Sequence, residues 1–235
     1  MTYKRVLLKL SGEQLAGQYE HGIDAELATW LAHEINKVVQ AGTQVVIMVG
    51  GGNYARGAQL AGHGISRVTA DNIGMMATIM NAVALADVFN AAGVSARALS
   101  IVKVDQIADL FTHRRAISDL EKGHVVIAAG GTGRPYVTTD TAAVSFALEL
   151  DCDVVLKATK ADGVYDKDPA KHDDAVKLEG ISFDEAVRNG AITVMDNAAL
   201  GLAMEHNLSV IIFNALSDHT IARVAAGEDI GTKIS

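Results

Sequence analysis

Residues 130–141 read GGTGRPYVTTDT, and this stretch decides how the chain is to be read. It follows an apolar run, His124–Ala129 (HVVIAA), and precedes an alanine-rich segment of helical character. Gly130, Gly131 and Gly133 allow backbone N–H groups to converge on an anion. Thr132, Thr138 and Thr139 add hydroxyl donors, and Asp140 places a carboxylate at the mouth of the next helix. A strand, a glycine turn and a helix N-terminus in that order make a phosphate site, because unpaired amides and the helix dipole both favour negative charge.

Outward from this stretch, apolar strands alternate with helical segments. Upstream, Arg5–Leu10 (RVLLKL) and Gln44–Val49 (QVVIMV) read as buried strands. Between them Leu27, Leu31, Ile35 and Val38 recur at helical spacing over Asp24–Gln40, with Asp24 as N-cap and Gly42 as the stop. A long Ala- and Met-rich helix is predicted over Thr69–Ala92, then a strand at Val94–Leu99 and a helix at Arg114–Glu121. Downstream come a helix at Thr141–Glu149, a strand at Asp153–Ala158 and a polar, irregular stretch from Asp162 to Leu178. Helices near Phe183–Arg188 and Ala198–His206, a strand at Ser209–Phe213 and a helix near Asp218–Ala226 complete the order. Alternation without tight hairpins in the first half predicts an α/β fold, a three-layer αβα sandwich on a mostly parallel central sheet. The glycine-bearing loops fall after strand ends, where open α/β sheets bind ligands.

The bulk properties narrow the classes. The chain has 235 residues, 49% of them hydrophobic and 5% aromatic, and only two prolines, Pro135 and Pro169. That describes a globular protein with a core of Val, Ile, Leu and Ala. No apolar run approaches about 20 residues, so no membrane partner is expected. The first residues, MTYKRVLLKLSGE, read as a strand and not as a signal peptide. Cys152 is the single cysteine, which fits a reducing, cytoplasmic compartment and a passive packing role. A formal charge of −8 argues against nucleic acid as a general partner. The eight histidines show no zinc-ligand spacing.

Four clusters stand at strand ends: Lys9–Glu13 (KLSGE), Gly50–Asn53 with Arg56 and Gly57, the threonine-rich run, and Lys157–Lys160 (KATK) leading to Asp162-Gly163-Val164-Tyr165 and Asp168-Pro169. Lys9 and Lys157 interrupt apolar strand patterns, so each either snorkels outward or faces a bound anion. Cations and glycine loops of this kind suit phosphoryl transfer, in which positive charge and positioning supply most of the catalysis. An anionic phosphate acceptor needs no general base. No Gly-x-x-x-x-Gly-Lys-Ser/Thr, His-Arg-Asp or Asp-Phe-Gly sequence occurs, which excludes ordinary P-loop and protein kinases. Simpler roles compete at several positions. Asp71 or Thr69 could cap the long helix, and Tyr165 could be a packing aromatic. Met75, Met76 and Met80 fit a core or subunit-contact stripe. His113-Arg114-Arg115 fits a solvated helix start, and Asp87, Asp105 and Asp109 read as solvated charges.

Taken in order, KLSGE at 9–13, GGGNYARG at 50–57, RVTADNIGM at 67–75, GTGRPYVTTDTAA at 131–143, KATKADGVYDKDP at 157–169, VMD at 194–196 and FN at 213–214 resemble the bacterial uridylate kinases of the amino acid kinase superfamily. The resemblance covers nearly the whole chain, and the threonine-rich run and KATKADGVY are its most specific parts. It implies one domain over 1–235, with a UMP-binding lobe at 1–150 and an ATP-binding lobe at 151–235. It implies transfer of the ATP γ-phosphate to UMP, with Mg2+, in pyrimidine nucleotide biosynthesis. Lys9, Leu10, Ser11, Gly12 and Gly52 would cradle the ATP phosphates, with Arg56 between donor and acceptor. Thr159, Tyr165 and Asp168 would hold adenosine. Gly51, Asp71, Thr132, Gly133, Arg134, Pro135, Tyr136, Val137, Thr138 and Thr139 would hold UMP. Lys9 and Arg56 would neutralise the transferred group, and Asp140 would orient a lysine or the hydrated metal, unless it caps its helix. A homohexamer activated by GTP and inhibited by UTP is implied as well. Arg134, Val137 and Asn197-Ala198 depart from the usual pattern. The alternatives are an amino-acid or carbamate kinase of the same superfamily, and a non-catalytic nucleotide-binding or storage protein on that scaffold.

Overall fold

The computed structural model describes residues 3–55, 59–60, 64–167, 171–172, 174–188, 194–217 and 219–235. Arg56 and Asp168, both candidate ATP ligands, lie outside the described residues, as do Gly57 and Pro169.

Among the described residues the strands are β1 (Arg5–Leu10), β2 (Gln44–Val49), β3 (Ala96–Ser100), β4 (Asp109–Leu110), β5 (Val125–Ala129), β6 (Val154–Thr159), β7 (Val164–Tyr165), β8 (Lys177–Leu178), β9 (Gly180–Ile181), β10 (Val210–Asn214) and β11 (Thr232–Ile234). Nine of them form one sheet in the order β4-β3-β5-β2-β1-β6-β10-β11-β9. Every pair in it is parallel except β10 with β11. β7 and β8 make a separate antiparallel ribbon inside the stretch expected to be irregular.

Side chains alternate across the strands and divide the core in two. Val6, Leu8 and Leu10 of β1 face helices α2 (Ala25–Gln40), α3 (Arg67–Ala91) and α8 (Thr220–Ala225). Leu7 faces the other way, toward α4 (His113–Glu121), α5 (Thr139–Glu149), α6 (Phe183–Arg188) and α7 (Asn197–Glu205). The three layers expected from the alternation are therefore present. A single turn, α1 (Gly12–Leu15), follows β1 directly.

At two helix starts a hydroxyl residue other than the one expected takes the cap. Ser66 caps α3 by accepting from Thr69 N at 3.3 Å, which moves Thr69 and Asp71 into the helix and removes both from the capping role. Thr138 caps α5 by accepting from Asp140 N at 3.0 Å and Thr141 N at 3.3 Å. Asp140 is thereby released from capping. By length and composition alone α3 is apolar enough to cross a membrane, although polar residues interrupt its apolar run. Its composition has another cause: Ala70, Ala77, Ile79, Ala82, Leu85 and Phe89 are buried in the core.

Candidate active site

β1 and β6 are adjacent, parallel and in register at Lys9 and Lys157. They also mark where the strand order reverses: β1–β5 occupy one half of the sheet and β6, β9, β10 and β11 the other. Such a switch point opens a crevice at the strands' C-terminal ends. Both lysines project to the α5 side, following the parity of Leu7 and Val155. There they meet Asp140, in the first turn of α5: Lys9 Nζ lies 2.6 Å from Oδ1 and Lys157 Nζ 2.5 Å from Oδ2. The three side chains are only 11–14% exposed. Lys157 Nζ donates also to the Val194 carbonyl.

Burial works against every charge in this triad, so the charges must satisfy one another. Burial tends to raise the Asp140 pKa, but Lys9 and Lys157 outweigh it and hold the carboxyl below its ordinary range. Burial pushes the Lys157 ammonium down from the usual lysine value, with Asp140 opposing the shift and Lys9 adding to it. The result is two cations held at one point on the crevice floor by one carboxylate. This settles the alternatives for the lysines: neither snorkels away.

Beside this floor the loops after β1 and β2 meet backbone to backbone. A Cβ on Gly12 would lie 2.6 Å from Asn53 Oδ1 and 2.7 Å from Gly50 O. One on Gly51 would lie 2.8 Å from both Ala77 Cβ and Gly74 O of α3. Only glycine fits either place. Asn81, fully buried in α3, fastens the seam: its Nδ2 donates to Gly50 O at 2.7 Å, and its amide pairs with that of Asn53. One turn earlier, Thr78 Oγ1 accepts from Gly130 N at 2.8 Å and so ties the glycine run to the same helix. Neither Asn81 nor Thr78 was singled out in the sequence. A polar residue on the buried stripe of an apolar helix was the available signal.

Gly51, Asp71, Thr132, Arg134, Val137 and Thr139 line one cleft of about 140 Å3, together with Ala55, Gly74, Met75, Thr78 and Gly131. Six of the residues assigned to UMP from the resemblance thus come together. The remaining four stand apart from the cleft wall in instructive ways. Thr138 spends its hydroxyl on the α5 cap and on Asp196, to which it donates, so it is not a free donor for a ligand. Tyr136 is 67% exposed, with a left-handed backbone (φ 67°), and its N–H donates to Asp71 Oδ2 at 2.8 Å. Gly133 also has positive φ, and Pro135 is half-buried. Thr132 Oγ1 is buried and has no hydrogen-bond partner among the described residues.

Asp71 carries a second ion pair, of different character. Arg67 Nε donates to both of its oxygens at 2.8 Å, and the Arg67 guanidinium lies 5.1 Å from the Tyr136 ring centre. Partial burial tends to raise the carboxyl pKa; the Tyr136 N–H and Arg67 more than offset it and lower it. At and just beyond the end of β6, Thr159 Oγ1 donates to Ala161 O at 2.7 Å and Tyr165 Oη to Asp162 Oδ1 at 2.7 Å. Asp162, quoted in the sequence only as part of the fourth cluster, is thus what orients Tyr165. Cys152 is buried with its thiol pushed up to about 12, chiefly by burial, as befits a packing residue.

A mostly parallel sheet with paired lysines at its switch point and glycine loops beside them marks a phosphoryl-handling α/β protein. Residues 4–214 match the model of the amino acid kinase family, and the chain belongs to that family. A uridylate kinase of Xanthomonas euvesicatoria pv. vesicatoria is 46% identical over 234 residues, covering 100% of this chain and 97% of its own. A crystal structure of UMP kinase from Bacillus anthracis superposes with a TM-score of 0.95 at 37% identity, covering 100% of this chain and 97% of that one. One from Ureaplasma parvum gives 0.92 at 34% identity, with both chains fully covered.

Proposed function

We propose that this chain is a kinase that transfers the γ-phosphoryl group of ATP to UMP, giving UDP and ADP, as a step in pyrimidine nucleotide biosynthesis. The observation that carries the reading is the Lys9–Asp140–Lys157 triad, fixed between the acceptor cleft and the β6–β10 half of the sheet. A phosphate oxygen of UMP attacks the γ-phosphorus in line, and the bond from that phosphorus to the β–γ bridging oxygen breaks. Negative charge grows on the equatorial and leaving oxygens, where two preorganised ammonium groups stabilise it. The acceptor phosphate is largely dianionic at neutral pH, with a second pKa of about 6, so no side chain need remove a proton.

Residues 1–150 form the UMP lobe in this reading and 151–235 the ATP lobe. Lys9, Leu10, Ser11, Gly12, Gly52 and Arg56 serve the ATP phosphates, and Thr159, Tyr165 and Asp168 the adenosine. Asp71, which lines the cleft, suits the ribose hydroxyls of UMP, and the Thr132 hydroxyl, which has no partner among the described residues, suits a ligand oxygen. Among the described residues no group of three His, Cys, Asp or Glu side chains stands ready for a metal, and Asp140 is already spanned by two cations. That donor set suits Mg2+ held mainly by phosphate oxygens and water, as this ion prefers. When bound it would neutralise part of the negative charge on the transferring phosphates.

The exposed Tyr54, Met76, Met80 and Ile107 line one groove on the α3 side, a face that supports self-association into the homohexamer of this reading. GTP activation, UTP inhibition and a cytoplasmic location belong to the same reading. An amino-acid or carbamate kinase has no use for the Asp71 and threonine-lined cleft, and a storage protein has none for the buried triad. A coupled assay of ADP formation with ATP, Mg2+ and UMP, CMP, dUMP, AMP, glutamate, aspartate or carbamate tests this. Turnover with UMP well above the others is expected. Turnover with an amino acid, or with no acceptor in a protein that binds ATP, would overturn it.

A further inference from the structure

We infer that Asp196 is a positioning residue for the phosphoryl transfer proposed above, on which this inference rests: its carboxylate ties α7 to the first turn of α5 and so fixes where Asp140 meets the two lysines. Asp196 ends the Val194-Met195-Asp196 segment, a motif with no role so far. It caps α7, accepting from Ala199 N at 2.9 Å. The same carboxylate accepts from Thr141 Oγ1 at 2.9 and 3.1 Å and from Thr138 Oγ1, across 55 and 58 residues of chain. Capping alone requires one oxygen, and Asn or Ser caps about as well as Asp. The two threonine bonds are therefore additional to the cap, and both oxygens share in them.

These bonds reach the triad by two routes. Thr138 Oγ1 donates to Asp196 while accepting from Asp140 N, and a hydroxyl that donates to a carboxylate becomes a stronger acceptor. The first turn of α5, with Asp140 in it, is held at the end of that chain. Two residues before Asp196, the Val194 carbonyl accepts from Lys157 Nζ. Met195 between them is only 6% exposed and anchors the segment in the core. One short segment of the second half of the sheet's helical cover thus holds both Lys157 and the helix that carries Asp140. Misplacing a reacting or charge-bearing group by an ångström is enough to slow an enzyme about a hundredfold.

The test compares the full chain with Asp196→Asn, Asp196→Ser and Thr141→Val, measuring turnover and KM with ATP and UMP alongside thermal unfolding. Asn and Ser keep a cap oxygen for α7 but cannot hold both threonine hydroxyls as a carboxylate does. Both are expected to lower kcat by about tenfold to a hundredfold while leaving KM for UMP within about threefold, the signature of a transition-state effect. Melting temperature should stay close to the parent's. Thr141→Val should show a smaller loss, and Asp196→Asn combined with Thr141→Val should be no slower than Asp196→Asn alone, as members of one unit behave. A parent that turns over UMP while Asp196→Asn keeps pace removes the inference and leaves the transfer reading standing. A loss of kcat matched by an equal loss of folding, or additive losses in the double variant, would reduce Asp196 to a helix cap and also overturn it. A parent with no UMP turnover removes the transfer reading first, and the positioning role with it.

Discussion

Asp140 and Asp71 are both carboxylates held by cations, yet they sit in opposite surroundings. Asp140 lies between two ammonium groups, all three side chains nearly shut off from water. Asp71 faces a guanidinium that is 45% exposed and shares its oxygens with a backbone N–H. Where water is excluded, no partner can leave without stranding a charge, so the geometry is permanent. Where water reaches, Arg67 can be exchanged for a ligand hydroxyl at little cost. The first arrangement suits transition-state charge that must be met without rearrangement, and the second suits a substrate that comes and goes.

Substitutions should separate the two sharply. Lys9→Ala is expected to have the largest effect, lowering kcat by about a thousandfold with KM for UMP nearly unchanged, the scale on which a preorganised charge-stabilising group acts. A steady-state loss under about threefold would remove Lys9 from the mechanism. Asp140→Asn should destabilise the fold by about 3 kcal/mol at neutral pH, because it leaves two buried lysines without their anion. Its pH dependence has a definite sign. The folded carboxyl titrates below the unfolded value of about 4, so its contribution is complete above that value and is lost as pH falls through the depressed one. In urea titrations the gap between parent and Asp140→Asn should therefore close on acidification; a gap constant down to the acid limit would mean that Asp140 does not act through its charge.

At the site whose cation is exposed, Asp71→Asn should raise KM for UMP by about tenfold with little change in kcat, the cost of losing charged hydrogen bonds in binding. The opposite split would move the acceptor elsewhere. Arg67→Ala should be the mildest, shifting stability by less than about 1 kcal/mol, as exposed pairs do. A calorimetric shift several times larger would make the two aspartates alike and dissolve the contrast between them.

Much of this contrast was legible in the sequence. Two lysines in otherwise apolar strands announced a reason for burying charge, and the edges of β1 and β2 fell where RVLLKL and QVVIMV placed them. Helix starts were harder, because several hydroxyl and acidic residues near each boundary competed for the cap. Ser66 and Thr138 won, and their neighbours acquired other roles as a result. Local pattern could not show that Asp140 would meet both lysines, since that contact depends on a register between strands about 150 residues apart. Nor could it show Asn81, whose meaning lies in the backbone it reaches across to. The short strands β4, β9 and β11 carry too few residues for alternation to register.

The glycine seam has a mechanical consequence for α3. Gly51 presses its backbone directly on Ala77 and Gly74, while Thr78 and Asn81 grip Gly130 and Gly50. The opposite side of the same helix carries the exposed Met76 and Met80. Between the two sides lies one helix, joined to the loops by the close Gly51 approach and by the short Thr78 and Asn81 side chains. A push along the outer methionines, from whatever seats there, would travel through a rigid rod and move both glycine loops of the cleft in step.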